Sequence, residues 1–255
     1  MFSDFLSLIL GCIVLFAATE RGLFLAAIII GLVLAAVCWY LCSIYTHLWN
    51  KRYHLTLTHH LLCAVASALT LVFVITFASM AFTRDAALAS IRLWQIQIKS
   101  DQTWAKATFL KAYDDVRTIN VESFDGVPPA EAPNALIPTA HDESRQVAAA
   151  RYANEACRHF DRNRRFLSKI VWSRAELPSA IVTNDERQWF ATHPVYPAER
   201  AIDLAASQIK LGLDSQVPRV VYLSRLSLVL FFFVIQTVPF GIIGWAAYVD
   251  IKARM

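Results

Sequence analysis

The chain has 255 residues, 56% of them hydrophobic and 17% charged, with a formal net charge of +4. Soluble domains hold about 45–50% apolar and about 25% charged residues, so apolar excess gathered into runs marks an integral membrane protein. That excludes a cytosolic enzyme, a disulfide-stapled secreted module and a disordered tail.

A helix needs about 20 mainly apolar residues to cross the bilayer core. The first run, Phe5–Thr19, is shorter than that and lies between Asp4 and Glu20. It has the length of a signal peptide, but Phe2, Ser3 and Asp4 supply no basic flank and no small-residue cleavage site follows. It reads as a short first span, forming a hairpin with the second through Glu20 and Arg21. The runs Gly22–Thr46, Leu61–Thr83 and Leu226–Val249 are full-length spans. The expected fold is an all-α membrane protein: four transmembrane helices with an elongated helical domain between the third and fourth. Its parts are a three-span region 1–83, a helical domain 84–224 and a last span with a short basic tail, 225–255.

Positive charge in short loops favours the cytoplasm. Lys51 and Arg52 in the His47–His60 loop, and Lys252 and Arg254 in the tail, set those ends inside. Arg21, Arg84, Arg92, Arg219 and Arg225 oppose them. The compact basic tail decides the reading: a multi-pass protein of the bacterial inner membrane, with its domain in the periplasm.

Within the domain, 84–120 lacks Gly and Pro and reads as one long helix. Its stripe of Trp94, Ile98, Ala105, Phe109, Ala112, Val116 and Ile119 is interrupted by Asp101. Phe124–Asp142 is a linker carrying four prolines. Asp142 then caps a second helix running to about Arg174, with Cys157 and Phe160 in its stripe. Asn184 or Asp185 caps a short turn through Trp189 and Phe190. Pro197 opens a helix Ala198–Leu213, and Pro218 breaks the chain before the exit helix.

The search for chemistry yields mostly exclusions. Only Gly126 and Gly212 lie in the domain, so no glycine-rich phosphate loop can be built there. No nucleophile elbow, H-E-x-x-H motif or paired C-x-x-C is present, and the expectation is a protein that is not an enzyme. His47 and His60 are the candidate ligands for a metal or haem iron. The plainer reading, adopted here, is interfacial imidazoles among headgroups with no cofactor. Arg158, Arg162, Arg164, Arg165 and Lys169 form a basic strip in a domain whose residues 85–222 hold 17 basic and 17 acidic side chains. Such a strip suits an acidic partner better than nucleic acid, so direct nucleic-acid binding is not expected. No ionisable residue lies mid-span, which disfavours a transporter or channel. Gln236 and Thr237 beside Pro239 interrupt the last span, where a kink is expected and Gln236 can satisfy a neighbour. Small residues recur every fourth position at Ser3, Ser7 and Gly11, at Ala27, Gly31 and Ala35, and at Ala64 and Ala68. They let helix backbones approach closely: packing within the chain accounts for much of this, and three such faces on four helices leave room for contacts with other membrane subunits.

The C-terminal stretch from Arg225, with Pro239, Gly244 and Val249 and Asp250 before Lys252 and Arg254, resembles the last span of inner-membrane proteins of integrating conjugative elements. It covers about 30 of the 255 residues. The chain departs from that family in having two extra N-terminal spans, no glycine after Asp250 and no long basic tail. The resemblance implies conjugative DNA transfer beside a type IV secretion machine and no catalytic residue. The expected role is a scaffold subunit of a multi-protein inner-membrane complex, its partners being other subunits of an envelope assembly and the bilayer. The alternatives are a sensor, exclusion or defence protein with a helical ectodomain, and a haem- or metal-bearing redox subunit.

Overall fold

The computed structural model describes residues 2–45, 53–119, 142–171, 177–193 and 196–253. Among them every regular element is a helix: α1 Phe2–Thr19, α2 Arg21–Ile44, α3 Leu57–Ser79, α4 Thr83–Ser100, α5 Gln102–Ile119, α6 Asp142–Asn163, α7 Arg165–Val171, α8 Ser179–Phe190 and α9 Ala198–Ala253. The chain divides into two compact units. One comprises Met1–Leu6 and Ala87–Val217; the other comprises Ser7–Ala86 and Pro218–Met255.

Three helical stretches are long and apolar enough to cross a membrane: Arg21–Ile44, Leu57–Ser100 and Ala198–Ala253. The apolar part of α1, Ser3–Thr19, is shorter. The expected hairpin between α1 and α2 is not formed. Glu20 closes α1 and opens α2 without a loop: its N–H bonds Phe16 O (3.0 Å), its carbonyl accepts from Phe24 N–H (2.9 Å), and the Phe16 and Phe24 rings meet at 5.4 Å across the joint. Only Glu20 itself departs from helical geometry, at φ −123° and ψ 60°. The neighbours of α1 lie where α3 ends: Phe16 meets Phe82 at 5.3 Å, and Cys12 Sγ reaches Thr83 Oγ1 at 3.9 Å. In a hairpin, position 12 would instead lie beside the body of α2.

Small residues do bring α2 onto α3. A Cβ on Gly31 would stand 2.7 Å from Leu71 Cδ1 and 3.5 Å from Val74 Cβ, so the helices are in close contact here and Leu71 would have to turn its side chain to admit one. Ala27, one turn earlier, is buried as well. Away from that contact α2 exposes Leu25, Ile29 and Val33, a surface suited to lipid or to another helix. The polar residue of the last span is satisfied internally, as its sequence position suggests. Gln236 Nε2 donates to Ala66 O (3.1 Å) and to Thr70 Oγ1 (2.9 Å), while the Cys38 thiol donates to Gln236 Oε1 (3.0 Å). Three helices are thus tied where no water competes.

The helical unit corrects several expected boundaries. The long helix 84–120 is two helices, because the Asp101 carboxylate accepts from the N–H groups of Thr103 (2.9 Å) and Trp104 (3.0 Å) and starts a new helix. The second expected helix is interrupted at Arg164, although hydrogen bonds pass on either side of it. Helix α8 starts at Ser179 behind Pro178, so Asn184 and Asp185 are interior helix residues, not caps. Pro218 does not break the chain, since α9 continues through both Pro218 and Pro239. Pro218 removes the N–H that would bond the Asp214 carbonyl. Both residues are exposed, so that carbonyl is open to water. The expected linker Phe124–Asp142 and the end near Arg174 lie outside the described residues, apart from Asp142, where α6 begins.

The core of this unit joins an alanine-rich face of α6 (Ala148, Ala149, Ala153 and Ala156, with Tyr152 and Phe160) to Ile91, Trp94 and Ile98 of α4. Phe109 and Ala112 of α5, and Ala201, Ala205 and Ile209 of α9, are also fully buried. Small side chains on α6 leave room for the large rings, the interlocking that dense packing requires. At Gly212 a Cβ would stand 2.6 Å from the Val171 carbonyl oxygen, so α9 passes the end of α7 closely.

Candidate functional site

The basic strip runs over α6 and α7 at positions 158, 162, 165 and 169, which follow helical spacing. Arg162, Arg165 and Lys169 are exposed. Arg158 is half-buried and bonds the Glu155 carboxylate at 3.2 Å. Arg164 stands apart from the others, its Nε buried and making no hydrogen bond. Of the five expected partner-binding residues, three are therefore exposed.

Beneath the strip lies an ion-pair hub. The Glu155 side chain is 7% exposed and gathers Lys111 Nζ (3.1 Å), Arg158 (3.2 Å) and Arg151 (3.7 Å). Arg151 also pairs with Asp115, its second nitrogen donating at 2.8 Å. Ser168 of α7 donates to Asp161 of α6 across the break at Arg164. Burial pushes the Cys157 thiol up to about 12, with the Asp161 charge acting in the same direction. Cys157 is a packing residue, not a nucleophile.

One turn from the strip, His159 sits among aromatic rings. The Trp94 indole N–H donates to its Nδ1 at 3.0 Å, and the Trp104 ring approaches within 6.3 Å. Desolvation holds the imidazole below its ordinary pKa, with Asp101 raising it and Arg162 lowering it by lesser amounts.

A second cluster joins α8 to the start of α9. Asp185, nearly buried, accepts from the Tyr196 hydroxyl at 2.6 Å and from Arg200, whose Nε lies at 3.1 Å. The Arg200 guanidinium lies over the Trp189 ring at 5.3 Å, and that ring stacks on His193 at 4.0 Å. Burial and the Asp185 carboxylate raise the Tyr196 hydroxyl pKa, while the bond to Asp185 raises that of Arg200. Arg200 fills the space a cationic ligand would need, so the cluster is a clamp. Sequence reasoning missed it because Asp185 had been assigned a capping role. The signal available was Asp185 and Trp189 one turn apart on α8, with His193 at the same interval just past the helix end.

The histidine reading changes in part. His47 lies outside the described residues. His60 is exposed at the start of α3. His59 is buried at 8% and closes a capping box, its Nδ1 accepting from the Thr56 N–H at 3.3 Å and approaching the Tyr53 hydroxyl at 3.2 Å. Among the described residues no group of His, Cys, Asp and Glu is arranged to hold a metal. In the unit holding the spans, a cleft of about 410 Å³ is walled by Phe73, Phe232, Phe233 and Phe240. The polar atoms of Gln236 are turned into their helix–helix bonds.

No family model, curated protein or solved structure matches this chain.

Proposed function

We propose that the chain is a non-catalytic scaffold subunit of a multi-protein inner-membrane complex, with its helical domain on the periplasmic side. The observation that carries this reading is the contrast between the strip and the charges beneath it. Glu155, Asp115 and Asp185 are spent on internal pairs, whereas Arg162 and Arg165 are exposed along one helical edge, with the Lys169 side chain one turn further on. A charged edge of this kind steers and orients an acidic protein partner. The apolar outer faces of the spans supply the second contact, with neighbouring membrane subunits. The C-terminal resemblance makes the conjugative DNA-transfer apparatus the candidate assembly.

Reversing Arg162, Arg165 and Lys169 together to Glu tests the reading. Arg164 is left alone because it is half-buried, and a carboxylate in its place would disturb the fold itself. The expected result is a shift to a smaller species on sizing in mild detergent, with membrane insertion and helix content unchanged. A wild-type protein that is a stable monomer and carries an absorbing cofactor would overturn the proposal.

A further inference from the structure

We infer that Trp94 and His159 form an acid-released latch between α4 and α6. Trp94 is fully buried, and its indole can only donate a hydrogen bond. Its acceptor is His159 Nδ1, 3.0 Å away. An imidazole nitrogen accepts only while it carries no proton; once the ring is protonated both nitrogens are donors. Protonation therefore sets two donors against each other and strips a buried N–H of its partner. The Asn163 amide lies 2.8 Å from Nε2 and 3.2 Å from Nδ1; because Trp94 needs Nδ1 as its acceptor, the neutral ring carries its proton on Nε2, and the amide has to present its oxygen to that N–H.

The groups facing the ring are few. From α4 it meets Trp94, and from the α4–α5 joint and α5 it meets Asp101 and Trp104. From α6 it meets Arg162 and Asn163. The Asp101 carboxylate favours the proton, but it is already engaged with the N–H groups of Thr103 and Trp104. Arg162 disfavours it. The native ring thus holds its proton less tightly than an unfolded one. Stability is complete above the ordinary imidazole pKa of about 6.5 and falls as pH drops through the lower native value.

The test uses the full chain in detergent micelles, comparing wild type with His159→Asn and Trp94→Phe between pH 7.5 and 5.0. Asn places an oxygen near the Nδ1 position and does not titrate; Phe removes the donor. Hydrogen exchange over 88–98 and 155–163, corrected for the intrinsic pH dependence of exchange, reports the latch. In wild type the opening equilibrium should rise by up to about tenfold per pH unit between the native and ordinary pKa values. In both variants that extra rise should be lost. The His159 titration in wild type, followed by NMR, provides a readout that needs no variant. A native pKa at or above the ordinary value would overturn the inference, and so would equal pH dependence in wild type and variants.

Discussion

Replacing Phe160 by Ala should lower the stability of the helical unit by about 3–5 kcal/mol, the range for truncating a buried aromatic. Phe160 is 1% exposed and meets Trp94 edge-on at 5.1 Å between ring centres. The cavity left behind would border Trp94, which is itself fully buried and held by its hydrogen bond to His159. The site therefore cannot collapse, and the cost belongs at the upper end of the range. Denaturant unfolding of the full chain in mild detergent, followed by tryptophan emission, measures it. Phe166, which is only half-buried and packs on Phe5 at 5.0 Å, provides the contrast: Phe166→Ala should cost less than half as much. Equal losses at the two positions would contradict the described core.

The second large effect is expected at Glu155. Removing this carboxylate strips a common partner from Lys111, Arg151 and Arg158. Breaking a fully buried pair costs about 3–5 kcal/mol. Here the cationic side chains are 51%, 30% and 37% exposed and can be rehydrated, and Arg151 keeps Asp115. Glu155→Ala should therefore cost about 2–3 kcal/mol, reduced from that buried-pair range. Glu155→Gln, which retains an acceptor, should cost less. Raising salt to 1 M should narrow the gap between wild type and Glu155→Gln, since the cationic ends are within reach of screening ions. A gap insensitive to salt would mean that packing, not charge, makes Glu155 matter.

The helical class, the buried face of α6 and the start of α9 were legible because they follow from local periodicity. The break at Asp101 was visible as an acidic residue in an apolar stripe; its meaning as a cap became clear only with the N–H groups it accepts. Pro218 misled because the rule against internal proline assumes a carbonyl that cannot reach water. Asp185 was hidden by distance along the chain: its partners Tyr196 and Arg200 lie 11 and 15 residues onward, which no helical spacing reveals. The course of α1 turned on the backbone of one residue, Glu20. Hydropathy counts how apolar a run is; it says nothing about the direction in which the next run leaves. The basic strip was legible as composition, while the inward placement of Arg164 was not.

The burial of the cysteines has a practical consequence. Cys12, Cys42, Cys63 and Cys157 are buried and Cys38 is half-buried, and burial pushes the domain's single thiol, Cys157, up to about 12. The natural chain is therefore close to a silent background for thiol labelling. A cysteine introduced at Arg165 or Lys169 should react with a membrane-impermeant maleimide while the wild type stays dark. Labelling in spheroplasts but not in inside-out vesicles would fix the face of the membrane on which the domain stands, without first removing any native cysteine.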